Sequence, residues 1–324
     1  MAGYPDIEID HMEPPASLRG QVGKLIWEQV VWPTRSRGRL GHVPYLAPPV
    51  FGQRFVVTAH DVIPFVLPEY ATGTRQAAYL AVTRAGLKNA SKVIADSEST
   101  RRDLIRVGAV SDDKIVVIPL GVDDRFAPGT ESQRECARQR LGLPGNFALF
   151  LGTRDLRKNL EVVLSAWPEI WKRSGLSLVI AGRAPKAGGS VYVDWFADLD
   201  QSATAWLRVI GPVSERDKPD LYRASNMFVF PSRYEGFGLD PLEAMASGVP
   251  VLVADCTSLP EVVGDAGLLL PPDKPAAWRD AVCRVAQDRH LASDLHGKGL
   301  ARAAGFTWAR TAELTYAVYQ EVGV

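Results

Sequence analysis

Residues 231–252 read PSRYEGFGLDPLEAMASGVPVL. The apolar run MFVF (227–230) before them reads as a buried strand. LDPLEAMAS reads as a helix that Gly248 caps and Pro250 stops, and VPVLVA (249–254) as the next strand. The unit is strand, glycine-containing loop, helix, strand. Gly236 and Gly238 allow a tight turn and close approach of a ligand to the backbone. The first N–H groups of the following helix have no intrahelical acceptor, which suits a phosphate. Glu235 lies in the loop. Glu243 lies four residues after Leu239 and three before Ala246, on the side of the helix that packs inward. An ionised carboxylate there is costly unless it is hydrogen-bonded. A ligand's hydroxyl pair or a buried arginine would satisfy it, and the spacing leaves both open.

Working outward, further strand-like runs are RFVVTA (54–59), KVIA (92–95), KIVVI (114–118), FALFL (147–151), SLVIA (177–181) and LRVI (207–210). Helical stretches at 74–90, 98–107, 158–173 and 215–225 alternate with them. Such alternation predicts α/β architecture with parallel sheets covered on both faces. The polar, turn-rich GVDDRFAPGTESQ (121–133) marks a break. It divides an N-terminal domain, 1–130, from a C-terminal domain, 131–305, which a last helix, 306–324, follows. In that helix Trp308, Leu314, Ala317, Val318 and Val322 fall near helical spacing, and it is expected to pack back on the N-terminal domain.

The chain has 324 residues, 46% hydrophobic, with 37 basic and 37 acidic side chains. Zero net charge argues against a dominant nucleic-acid footprint. Cys136, Cys256 and Cys283 are far apart and odd in number, which fits neither a metal site nor a disulfide framework and makes a reducing cytoplasm the expected compartment. No apolar run approaches the ~18 residues of a membrane helix, so membrane contact would be peripheral, at the inner face. MAGYPDIEIDHM lacks the basic start and apolar centre of a signal peptide.

Ligands of parallel α/β sheets sit at the carboxyl ends of strands. Three motifs lie at such ends: the opening stretch, GTRDLRKNL (152–160) and AHDVIPF (59–65). In the second, Arg154, Arg157 and Lys158 precede a helix, either as a clamp for two phosphates or as a solvated basic loop. In the third, His60 beside Asp61 could bond a substrate hydroxyl, serve acid–base chemistry, or be structural. Asp198 and Asp200, in the helical-looking VYVDWFADLDQSA, read as a solvated face rather than a metal-binding pair. Arg35, Arg37 and Arg39 form a basic loop that could meet phosphate or an acidic membrane surface, or simply solvent. There is no P-loop, no G-x-G-x-x-G after a strand, no serine elbow and no zinc-binding histidine pair.

The stretch 231–252 resembles the paired-glutamate signature of retaining glycosyltransferase family 4, and GTRDLRKNL resembles that family's phosphate loop. AHDVIPF, VIADSESTRRDL, VIPLGVDDRF, SLPEVVGDAGLLLPP and GFTWARTAELTYAVY follow the same order, so the resemblance covers about residues 40–320. It implies a GT-B fold, two doubly wound parallel-sheet domains facing across a cleft. It implies transfer of a hexose, mannose or glucose, from a nucleotide diphosphate sugar with retention of configuration. The donor nucleotide would be UDP or GDP, with no metal and no other cofactor. The acceptor would be a polysaccharide of the cell envelope, a glycolipid or a small molecule. By the same resemblance Glu243 would bond the ribose hydroxyls and Glu235 would face the transferred sugar. The backbone N–H groups of Phe237, Gly238 and Leu239 would meet the diphosphate and sugar. Lys158 and the adjacent Arg157 would bind phosphate beside Gly152, and His60 would reach the sugar hydroxyls. The family's second phosphate arginine usually follows the loop glycine directly. Here Thr153 holds that place and Arg154 comes next.

The resemblance leaves alternatives open. An epimerase or phosphorylase could use the same architecture, and a non-catalytic remnant could keep the donor pocket. The family's first domain normally opens with a strand and a glycine-rich loop, whereas MAGYPDIEIDHMEPPAS offers only DIEID as a short strand. The resemblance therefore implies an N-terminally shortened first domain.

Overall fold

The computed structural model describes residues 8–18, 20–52, 54–183, 191, 194, 196, 199 and 201–323. The chain forms two compact units. One runs to Pro119 and takes in Trp308 onward; the other is Leu120–Thr307.

The first unit holds a parallel four-stranded sheet, β1 (Gly41–Val43), β2 (Phe55–Ala59), β3 (Lys92–Ala95) and β4 (Ile115–Val117), with its strands side by side in chain order. Every residue of β2 is buried, as expected of a parallel strand covered on both faces. The fourth strand is Gly41–Val43 and not DIEID, whose described residues, Glu8–Asp10, have no regular structure. Gly41 suits its place, because a Cβ there would press into the Trp32 ring. The helix Trp308–Val322 joins this unit through Val318, which packs with Val56, Ile94 and Ile118, while Leu314, Tyr319 and Val322 lie alongside. Trp308, expected on the same face, stays 46% exposed.

The second unit holds a parallel six-stranded sheet: β5 (Phe147–Leu151), β6 (Ser177–Ala181), β7 (Leu207–Gly211), β8 (Met227–Phe230), β9 (Val251–Ala254) and β10 (Gly267–Leu270). The order β10-β9-β8-β5-β6-β7 reverses direction between β5 and β8. Sequence reading missed β10 because GLLL reads equally as helix or strand. Its parallel pairing with β9 decides it. Strands β5, β6, β8 and β9 are nearly continuous apolar runs, and Trp167, Trp278, Phe147, Phe150, Phe228 and Phe230 fill the core around them.

The stretch expected to mark the domain border belongs to the second unit. Val122 N–H donates to Phe306 O at 3.0 Å, and the buried Phe126 ring meets Tyr222 edge-on. Thr130 then caps the helix Glu131–Leu141 in a reciprocal box with Gln133.

Candidate functional site

The strand-order reversal leaves the carboxyl ends of β5 and β8 side by side, which is where ligands of doubly wound sheets bind. Each end carries one of the three singled-out motifs. After β5 the chain passes Gly152 and makes one short turn, Leu156–Lys158. It enters the helix Leu160–Ser174 through Asn159, which is fully buried and left-handed at φ 53°. Asn159 fixes the loop to its neighbours, its amide donating to Pro231 O at 3.1 Å and Pro272 O at 2.6 Å. Gly152 and Gly182 are packed backbone to backbone. A Cβ on Gly182 would stand 1.8 Å from Gly152 O, and Gly152 N–H donates to Ala181 O.

This loop brings Arg157 and Lys158 onto Glu235. Glu235 Oε1 accepts from Arg157 Nη1 at 2.8 Å, from Ser232 Oγ at 2.5 Å, and meets Lys158 Nζ at 2.8 Å. Burial pushes the Glu235 carboxyl up. The charges of Lys158 and Arg157 outweigh burial and hold it below its usual range. Lys158 also lies over the Phe230 ring, 4.4 Å from its centre. The loop backbone is held as well, since Glu235 N–H donates to Thr257 Oγ1 and Ser258 Oγ donates to Glu235 O.

Gly238 starts the helix Leu239–Ala246 with φ 120°, a region that side chains disfavour. Among the described residues no acceptor meets the N–H groups of Phe237, Gly238 or Leu239. Asp240 follows in the first turn, so this helix end already carries a carboxylate. Lys218 Nζ at 3.3 Å and Lys158 Nζ at 3.8 Å offset it.

Glu243 is 5% exposed, on the inward side as the spacing predicts. The cation that meets it is a lysine and not the buried arginine that the spacing left open. Lys218 Nζ lies 2.6 Å from Oε2, and Tyr222 OH donates to the same oxygen at 3.2 Å. Burial pushes the Glu243 carboxyl up to about 7 against the opposing charge of Lys218, with Asp240 adding to the rise. The Asp240 and Glu243 charges, with the bond to Glu243, overcome the burial of Lys218 and hold its ammonium above the usual range. Lys218 and Tyr222 went unnoticed in the sequence. They stand four apart on the helix Lys218–Ala224, a spacing that puts them on one face. A buried glutamate in need of a partner would have been the reason to look there.

Arg154 is not brought to this cluster. It lies over the Phe196 ring at 4.2 Å and reaches Asp194 at 3.4 Å. Asp198 and Asp200 lie outside the described residues. His60 belongs to the first unit, at the carboxyl end of β2. Its Nδ1 meets Asp96 Oδ2 at 2.7 Å, where Asp96 is 1% exposed. The bond to Asp96 raises the His60 pKa, against burial and with the charges of Asp96 and Asp61. Asp96 is a third residue that sequence reading missed.

The chain matches "Glycosyl transferases group 1" over residues 145–288 and "Glycosyltransferase Family 4" over 38–126. It is 34% identical over 274 residues to "O-antigen chain mannosyltransferase B" of Escherichia coli, covering 83% of this chain and 70% of that one. It is 33% identical over 251 residues to "D-inositol 3-phosphate glycosyltransferase" of Kineococcus radiotolerans, covering 71% of this chain and 57% of that relative. The solved structure of WaaG, "a glycosyltransferase involved in lipopolysaccharide biosynthesis", superposes with a TM-score of 0.75 over 95% of this chain and 85% of that one, at 17% identity. Two parallel α/β units with this likeness are the GT-B fold. The chain belongs to the group 1, family 4 glycosyltransferases, enzymes that transfer sugars.

Proposed function

We propose that the chain moves a hexose, mannose or glucose, from a UDP- or GDP-sugar to a sugar, lipid or small-molecule acceptor of the cell envelope, with retention of configuration. One observation carries the reading. Two cations, Arg157 and Lys158, and three N–H groups without acceptors converge where β5 and β8 end. A diphosphate leaving group needs fixed positive charge and oriented dipoles of that kind. In this reading the phosphates take Arg157 and Lys158 over from Glu235, whose freed carboxylate turns to the transferred sugar. The ribose hydroxyls bond Glu243. His60, oriented by Asp96, serves a substrate hydroxyl, and Arg154 acts outside the diphosphate cluster. The mannosyltransferase relative supports mannose among the two sugars. A cytoplasmic site of action fits the free thiols of Cys136, Cys256 and Cys283.

The test supplies UDP- and GDP-linked mannose and glucose with and without a mannoside acceptor, and follows nucleoside diphosphate release and product anomer by proton NMR. Release that depends on the acceptor and keeps the donor's configuration is expected. Donor conversion without acceptor would make the chain an epimerase, and a requirement for inorganic phosphate a phosphorylase. Either result overturns the proposal.

A further inference from the structure

The second unit has a cavity of about 180 Å³ on the opposite edge of its sheet, by the amino ends of β8 and β9. At roughly 30 Å³ per water it has room for about six waters, too little for a nucleotide sugar but enough for a phosphate with a small substituent. Arg134 and Arg138 from the helix Glu131–Leu141, Arg223 from Lys218–Ala224, Asn226, Gly248 and His296 line it. Carboxylates hold the outer edges of these arginines at the rim. Glu131 meets Arg138 at 3.0 Å and Arg134 at 4.0 Å, Glu135 meets Arg138 at 3.5 Å, and Asp220 meets Arg223 at 3.2 Å. The Nε atoms of Arg134 and Arg223 are buried and have no hydrogen-bond partner. A buried donor left this way loses its hydration and gets nothing back, and a charged one most of all. The remaining polar groups are fixed: Arg223 Nη2 donates to Arg125 O, Arg138 Nε to Ala224 O, and His296 Nδ1 is bonded to Gly248 O.

Three guanidinium groups around one small cavity, two with unused donors, form a receptor for a tetrahedral oxyanion. We propose that this cavity binds a phosphate group, free or carried as a small phosphomonoester, at a site separate from the Arg157–Lys158 cluster. Arg223 shares its helix with Lys218 and Tyr222. Gly299, on the His296 helix Arg289–Ala303, lies against Met245, two residues from Glu243. Occupancy would therefore be felt by the elements that hold Glu243.

The test is calorimetry on the full chain with inorganic phosphate and with glycerol 3-phosphate, each repeated with saturating UDP or GDP and in Lys158→Ala. The expected result is one phosphate site that persists under both conditions and weakens at least tenfold in Arg134→Gln and in Arg223→Gln. Tighter binding of glycerol 3-phosphate would mark a monoester site, and equal binding a site for free phosphate. Arg134 meets the exposed Glu131 at only 4.0 Å and leaves a buried donor unpaired, so Arg134→Gln should not lower the unfolding temperature without phosphate, which separates lost binding from lost fold. Phosphate binding that nucleotide or Lys158→Ala abolishes, binding unchanged in both arginine variants, or no binding at all would overturn the proposal. None of these outcomes depends on sugar transfer.

Discussion

Lys218 Nζ stands 2.6 Å from Glu243 Oε2, inside the core of the second unit and on the face of the helix that the motif's second glutamate was expected to offer to a ligand. The pair closes the question of how a carboxylate is tolerated there. It also means that a ribose must share Glu243 with an ammonium already in place.

The first prediction is a pH dependence. Burial raises Glu243 from its usual 4.5 to about 7. Between those values the unfolded chain has lost a proton that the folded chain keeps, so this group makes stability fall as pH rises through that window and level off above it. Glu243→Gln should remove that component from the urea-unfolding free energy measured between pH 4.5 and 7. Nucleotide affinity should move the other way, strengthening through about pH 7 as the carboxylate ionises to accept ribose hydroxyls. Identical stability profiles for wild type and variant would contradict the assignment.

The second concerns the diphosphate. Lys158→Ala should weaken nucleoside diphosphate binding by ~1.5–3 kcal/mol, a charged hydrogen bond's worth, or roughly tenfold to hundredfold. In the proposed scheme fixed cations neutralise the leaving group, so transfer should also survive excess EDTA. Activity that EDTA abolishes and manganese or magnesium restores would count against this scheme.

The third is structural. Gly182→Ala puts a methyl 1.8 Å from Gly152 O at φ 143°, where a side chain is strained in any case. Backbone must shift, at about 1–3 kcal/mol, and the shift falls on the glycine that opens the Arg157–Lys158 loop. Thermal unfolding and donor affinity should therefore fall together. Unchanged affinity in a destabilised variant would separate the two.

The sequence showed most strands of both units, for a physical reason. Strands buried on both faces are unbroken apolar runs, so FALFL, SLVIA and MFVF could be placed within a residue. GHV and GLLL escaped because three or four residues carry no period, and only pairing with a neighbour makes them strands. Glu235, Lys158 and Arg157 were legible because strand ends and glycines locate a loop. Lys218 and Tyr222, which meet Glu243, and Asp96, which meets His60, were not, because each reaches its partner from another element, and only the fold sets that distance. Arg154 is the reverse case. Its place in the loop pointed to phosphate, while its side chain finds Phe196 and Asp194.

The fourth prediction concerns His60. Its pKa is raised chiefly by the bond to Asp96, so its contribution to stability is present at acid pH and is lost as pH rises through the folded value. Asp96→Asn removes the charge and keeps the shape. The His60 ring-proton titration should then shift downward by NMR, with burial opposed only by the Asp61 charge and the backbone bond to Pro44. A titration midpoint unmoved by the substitution would show that Asp96 does not set the state of His60.

The central claim, that the β5–β8 edge holds a nucleoside diphosphate with its ribose on Glu243, is tested most directly by calorimetric titration of UDP and GDP into wild type and Glu243→Ala, with Glu243→Gln as the fold-preserving control. The account predicts binding of at least one nucleotide by wild type and a loss of ~1.5–3 kcal/mol in Glu243→Ala, roughly tenfold to hundredfold. Equal affinities in wild type and both variants, with unfolding temperatures retained, would contradict it.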